Sequence, residues 1–199
     1  MALDLFTPED TAVILIDHQV GTMSWVGSIP FEEMKANALA LAKAAKALDM
    51  PLVLTTSMED HAQGPLLDEF AEIAPQEYKD RIQRTGVVNS MDDPAFAAAV
   101  KNTGRRNLII AGVTNDVCTV YPTLTALEEG YKVRVVADAG GSMTKLADET
   151  ALRRMENAGA VIASINTALT ELAVNWASPA GQALLPVVVE LIPQEATAR

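Results

Sequence analysis

Cysteine is almost absent from this chain of 199 residues, and the single Cys118 cannot form an internal disulfide, so covalent staples are excluded as the basis of the fold. Positive charge is scarce too. Against 26 acidic side chains stand 15 basic ones, a formal net charge of −11 with no basic block to relieve it, which speaks against nucleic acid and anionic membrane surfaces as partners. No apolar run reaches the roughly 20 residues needed to span a bilayer. No basic and apolar leader opens the sequence, so a reducing, cytoplasmic setting is expected. No G-x-G-x-x-G follows the first apolar run and no Walker sequence occurs, which leaves a dinucleotide or phosphate cradle without support, and no cofactor is expected. What remains is a chain that is 49% hydrophobic, enough to build one ordinary domain around a real core.

Short β-branched apolar runs alternate with longer Ala, Leu, Glu and Lys-rich stretches of helical spacing. The strands are predicted at Ala12–Ile16, Pro51–Thr55, Tyr78–Gln83, Asn107–Val113, Lys132–Ala137 and Ala160–Ile165. The helices are predicted at Phe31–Leu48, Pro94–Asn102, Val117–Glu129, Lys145–Asn157 and Thr167–Trp176. Runs such as AVILI and LIIAGV suit strands covered on both faces, so the expectation is a three-layer α/β/α domain with a six-stranded parallel, Rossmann-like sheet in the order 3-2-1-4-5-6. Residues 1–177 would form that domain. Residues 178–199, which include LLPVVVELI, would be a tail lying on the domain or on a neighbouring subunit. Residues 56–76 form a long connection with at most one short helix near Leu66–Ile73, and such loops are often functional.

Open parallel sheets bind ligands beyond the carboxyl ends of their strands, near the point where strand order reverses. Three residues at such ends carry chemistry. Asp17 follows the first strand directly, where a buried carboxyl could handle a proton or merely cap the next turn. Cys118 lies in the first turn after the fourth strand, where a helix dipole favours a thiolate, although an unpaired cysteine is equally at home as a small buried hydrophobe. Asp116 beside it would oppose thiol ionisation unless it points away. Arg84, at the end of the third strand, would supply the compensating cation or be one more solvated charge. Gln19, Trp25, Asn89, Val113 and Thr144 are candidates for lining a substrate pocket, with structural alternatives for each, such as an N-cap for Thr144. Met23, Met34 and Met143 are expected to serve packing, and His18 to point away from Asp17 if the strand is regular.

These residues resemble the isochorismatase-like cysteine hydrolases. The resemblance covers residues 8–176 and rests on AVILIDHQ, on AGVTNDVC at 111–118 and on KVRVVADA, while RTGVVNSMDDPAF, LEEG and NTALTELAVNW look most like the YcaC-type branch. It implies that Cys118 is a nucleophile, that Asp17 is the acid/base and that Arg84 stands where the wider family commonly has lysine. Arginine stays protonated, so it can hold charge but not shuttle a proton. The resemblance further implies a cis peptide at Val113–Thr114, an oxyanion hole made by the N–H groups of Thr114 and Cys118, and a large homo-oligomer such as an octamer. The implied reaction is cleavage of a non-peptide amide C–N bond in a small molecule through a thioester. Metal-holding members carry an Asp-x-His and a further His, whereas this chain has only His18 and His61, the latter in Glu59-Asp60-His61, so no metal site is expected. The competing readings are a binding or scaffold subunit with little turnover, and a redox-responsive thiol protein. A nucleotide pocket is a further, weaker one.

Overall fold

The computed structural model describes residues 4–192. Its elements, in chain order, are β1 (Thr11–Ile16), α1 (Val20–Ser24), α2 (Phe31–Ala47), β2 (Leu52–Ser57), α3 (Glu69–Ile73), α4 (Pro75–Lys79) and β3 (Ile82–Arg84). They continue with α5 (Pro94–Asn102), β4 (Asn107–Gly112), α6 (Val120–Glu128), β5 (Lys132–Val136), α7 (Lys145–Asn157), β6 (Val161–Ala163), α8 (Ile165–Ala173) and α9 (Pro179–Glu190). The six strands form one parallel sheet in the order β3-β2-β1-β4-β5-β6, as the alternation of apolar runs and helices predicts.

Central β1 shows why its sequence is apolar from Ala12 on: all six residues are buried, and successive side chains enter opposite layers. Val13 and Leu15 join a core with Leu41 of α2, Leu169 of α8 and Leu184 of α9. Ala12, Ile14 and Ile16 join another with Phe96 and Val100 of α5 and Met155 of α7. Helix α9 therefore covers part of the first core through Leu184 and Val187, while Leu185, Val189 and Ile192 stay exposed. Residues 193–199 of the expected tail lie outside the described residues.

Several boundaries differ from expectation. Tyr78 and Lys79 belong to α4 and not to a strand, because Pro75 is preorganised for the first helical position, and β3 shortens to three residues. The 56–76 connection accordingly holds two short helices, α3 and α4, the second running on to Lys79. Helix α1, within the stretch after β1, has no counterpart among the predicted elements. The predicted Val117–Glu129 helix begins instead as a π-helical turn over Asn115–Thr119, with regular α-helix only from Val120. Helix α8 starts at Ile165, where Ser164 caps it by accepting from the Thr167 N–H, and ends at Ala173.

Candidate active site

Strand order reverses between β1 and β4, since β2 and β3 extend the sheet to one side and β5 and β6 to the other. Asp17 leaves β1 at this crevice, and Thr114 and Cys118 follow β4 into it. Asp17 adopts a positive φ of 59°, which aspartate tolerates better than most residues, with its N–H bonded to Thr55 O at 2.9 Å. The chain turns sharply there, and the Gln19 N–H donates back to Asp17 O at 2.7 Å.

Arg84 starts on β3, two strands away. Strands lie about 4.8 Å apart, so a group on β3 must cross roughly 10 Å above β2 to reach β1, and arginine has the length. Its Nε donates to Thr55 Oγ1 at 3.0 Å, its Nη1 to Val87 O at 2.9 Å, and its Nη2 to Asp17 Oδ1 in a buried ion pair. All three guanidinium nitrogens are thus engaged, and the side chain is aimed by β2 and by the loop after β3.

The second Asp17 oxygen, Oδ2, is buried with no hydrogen-bond partner. Cys118 is close enough for the thiol and the carboxyl to act on one another's ionisation. Burial pushes the Asp17 carboxyl up, opposed by the charge and hydrogen bond of Arg84 and by Cys118. The Cys118 thiol is pushed well up by burial and by the negative charge of Asp17, while Arg84 and the Thr114 backbone N–H, which is directed at the sulfur, favour the thiolate. Burial and the Asp17 charge thus favour the thiol. Cys118 sits inside a π-helical turn, not at a regular helix start, so the expected pull of a helix dipole is opposed by burial beside a carboxylate. Asp116 does point away, into a separate cleft with Val120, Ala147 and Arg154. The Val113–Thr114 peptide is cis.

These groups form the floor of a cavity of about 210 Å³, whose lining includes Asp17, Arg84, Thr114 and Cys118. Of the five residues proposed to contact substrate, Trp25 lines it. The others have structural work. Gln19 is buried and staples the ends of β1 and β2, its amide donating to Ser57 O at 2.9 Å and to Gly64 O at 2.5 Å while its oxygen accepts from the Ser57 N–H at 2.8 Å. Asn89 accepts from the Met91 N–H and donates to Thr125 Oγ1. Thr144 is the N-cap of α7, accepting from the Ala147 N–H. Val113 is wholly buried in the core.

His18 does turn away from the cavity, though not by strand alternation, since Asp17 has already left the strand. Its Nε2 bonds Ala139 O at 2.8 Å and its ring packs edge-on to Phe70, and burial lowers its pKa to about 4. Met23 and Met34 are core residues, whereas Met143 is not: it is 59% exposed and stands at the cavity mouth. Residues that sequence reasoning did not single out also line the cavity, namely Thr22, Ser57, Met58, Gln63, Val87 and Val88. The length of the 56–76 connection was the available signal for three of them. Thr22 had none, because α1 is too short to show periodicity. Among the described residues no three His, Cys, Asp or Glu side chains gather as a metal would require, and no helix is long and apolar enough to cross a membrane.

Comparison with known proteins places this geometry in context. Residues 11–167 match the isochorismatase domain model. The chain is 41% identical over 168 residues to the probable hydrolase YcaC of Escherichia coli, covering 84% of this chain and 79% of that protein. A structure of YcaC from Pseudomonas aeruginosa, with hexane-2,5-diol and covalent acrylamide, superposes with a TM-score of 0.87 at 39% identity over the whole of both chains. A crystal structure of the E. coli YcaC gene product, an octameric hydrolase of unknown specificity, does so with the same score at 36% identity.

Proposed function

This chain belongs to the isochorismatase family and is a YcaC-like probable hydrolase, and from that premise we propose that it is a cysteine amidohydrolase acting on the non-peptide amide bond of a small molecule. The observation that carries the proposal is the meeting of Asp17, Arg84 and Cys118, drawn from three strand ends, on the floor of one cavity.

Cys118 attacks the amide carbon as Asp17 takes the thiol proton. Burial opposes charge on both groups, and the Arg84 guanidinium favours the carboxylate form of Asp17 that accepts this proton. The tetrahedral oxyanion is held by the N–H groups of Thr114 and Cys118. Asp17 returns the proton to the leaving nitrogen, ammonia or an amine departs, and a thioester remains. Water then enters, Asp17 takes its proton, and the acid is released with the thiol restored. Arg84 binds no proton in this cycle; it keeps Asp17 ionised between turnovers.

A covalent acrylamide in the P. aeruginosa relative fits a reactive nucleophile in this fold, and we assign that role here to Cys118. By analogy with the octameric E. coli relative, we also propose that the domain and the described part of the tail, up to residue 192, form one unit that self-associates, with exposed Leu185, Val189 and Ile192 offered to a second copy. The test of the catalytic reading is ammonia release across a panel of small amides. Cys118→Ala is expected to lower turnover by more than about 1,000-fold, and hydroxylamine is expected to trap the acyl group of the intact enzyme as a hydroxamate. Full activity in that variant would end the proposal.

A further inference from the structure

The cavity is small and its wall is strongly one-sided in chemistry. Trp25, Met58, Val87, Val88, Val117 and Met143 supply its apolar surface, with Val88 56% and Met143 59% exposed at the mouth. Its charged lining residues are Asp17 and Arg84, and they neutralise one another at the floor. Arg84 is 3% exposed and each of its three nitrogens already donates to a protein acceptor, one of them the Asp17 carboxylate, so its charge is largely spent within the protein. The net charge of −11 adds a repulsive field. A cavity of about 210 Å³ suits a small molecule.

Besides Asp17, one polar side chain of this lining is buried without a hydrogen-bond partner. Thr22, on α1, lines the cavity at 4% exposure, and its Oγ1 is buried with no hydrogen-bond partner. A threonine within a helix commonly donates to the carbonyl four residues back, which here belongs to His18, but that carbonyl accepts from the Leu67 N–H. A hydroxyl left alone in a buried site is costly unless something else satisfies it. An amide does so in either direction, accepting through its oxygen or donating through its nitrogen.

Resting on the amidase reading above, we propose that the site takes an uncharged primary amide with a short apolar acyl group, and that the Thr22 hydroxyl hydrogen-bonds its amide group. The acyl chain lies along the Trp25, Val88 and Met143 wall, and the carbonyl carbon faces Cys118.

Two amides of nearly equal shape separate the possibilities: 4-methylpentanamide ends in an isopropyl group where succinamate ends in a carboxylate. Ammonia release by the intact enzyme and calorimetric binding to the Cys118→Ser variant are both measured. The neutral amide is expected to be favoured by more than about 100-fold in each, because burying a carboxylate without a partner costs several kcal/mol. Thr22→Val, which preserves shape, is expected to weaken binding of 4-methylpentanamide about 3- to 10-fold, with Thr22→Ser restoring it. Equal or better handling of succinamate overturns the proposed substrate class while leaving the amidase reading intact. Selective binding of the neutral amide without turnover supports the class and sinks the amidase reading instead. Binding of neither, or indifference to Thr22→Val, overturns the proposal.

Discussion

Replacing Arg84 with alanine tests the electrostatic core of the site. In the native arrangement a guanidinium that is 3% exposed holds Asp17 against the burial that would otherwise keep its carboxyl protonated. A neighbouring arginine typically lowers an aspartate pKa by about 1–3 units. Removing it adds to an upward shift that burial already imposes, so Asp17 retains its proton to a higher pH. Activity needs the carboxylate form to accept the thiol proton. The acidic limb of the rate against pH is therefore expected to move upward, with turnover at neutral pH falling. Breaking a buried pair by deleting one partner should also cost about 3–5 kcal/mol of stability, measured by urea unfolding. Arg84→Lys separates charge from shape. An ammonium can restore attraction to Asp17, but it cannot also serve Thr55 Oγ1 and Val87 O, which the Nε and Nη1 groups now satisfy. The lysine variant is expected to keep the acidic limb near its native position yet lose about 2–4 kcal/mol of stability. An acidic limb that stays in place in Arg84→Ala would refute the reasoning, because Arg84 would then not control the charge of Asp17.

Two further outcomes are expected. His18 is wholly buried and its pKa is lowered from 6.5 to about 4, so the unfolded chain binds a proton more readily than the native one. Its contribution is complete above pH 6.5 and is lost as pH falls towards 4, amounting to about 3 kcal/mol; His18→Gln should remove this part of the slope in unfolding measured across that range, and an unchanged slope would contradict it. Gly140→Ala would place a methyl group 2.4 Å from Gly112 O and 2.6 Å from Asn115 Oδ1, beside the turn that carries Cys118. A stability loss of about 1–3 kcal/mol together with reduced Cys118 alkylation is expected, and native behaviour in both assays would show that this contact does not set the turn.

The sheet was legible in the sequence because β1 and β4 run on as apolar residues after a polar first one, a pattern that suits a parallel strand between two helix layers. The short elements were not. Tyr78 and Lys79, the end of α4, read as strand because five residues give too little periodicity to outweigh the β-propensity of Tyr78 next to Ile82. Among the cavity candidates, Gln19, Asn89 and Thr144 follow strands on the correct side of the sheet, but side-chain direction decides their roles, and each points to a backbone group of its own neighbourhood.

Sequence by itself determined the alternation of parallel strands with helices, the end of the sheet where chemistry belongs, and the three residue types, acid, guanidinium and thiol, that chemistry would need. Those follow from local patterns and from the chirality and connection rules that any chain obeys. Tertiary structure alone decided that Arg84 bridges two strands to reach Asp17, that burial and Asp17 push the Cys118 thiol up, and that Thr22, at the cavity, has a buried hydroxyl without a partner. Each of these depends on burial and on contacts between segments tens of residues apart, and neither quantity is written in any stretch of sequence.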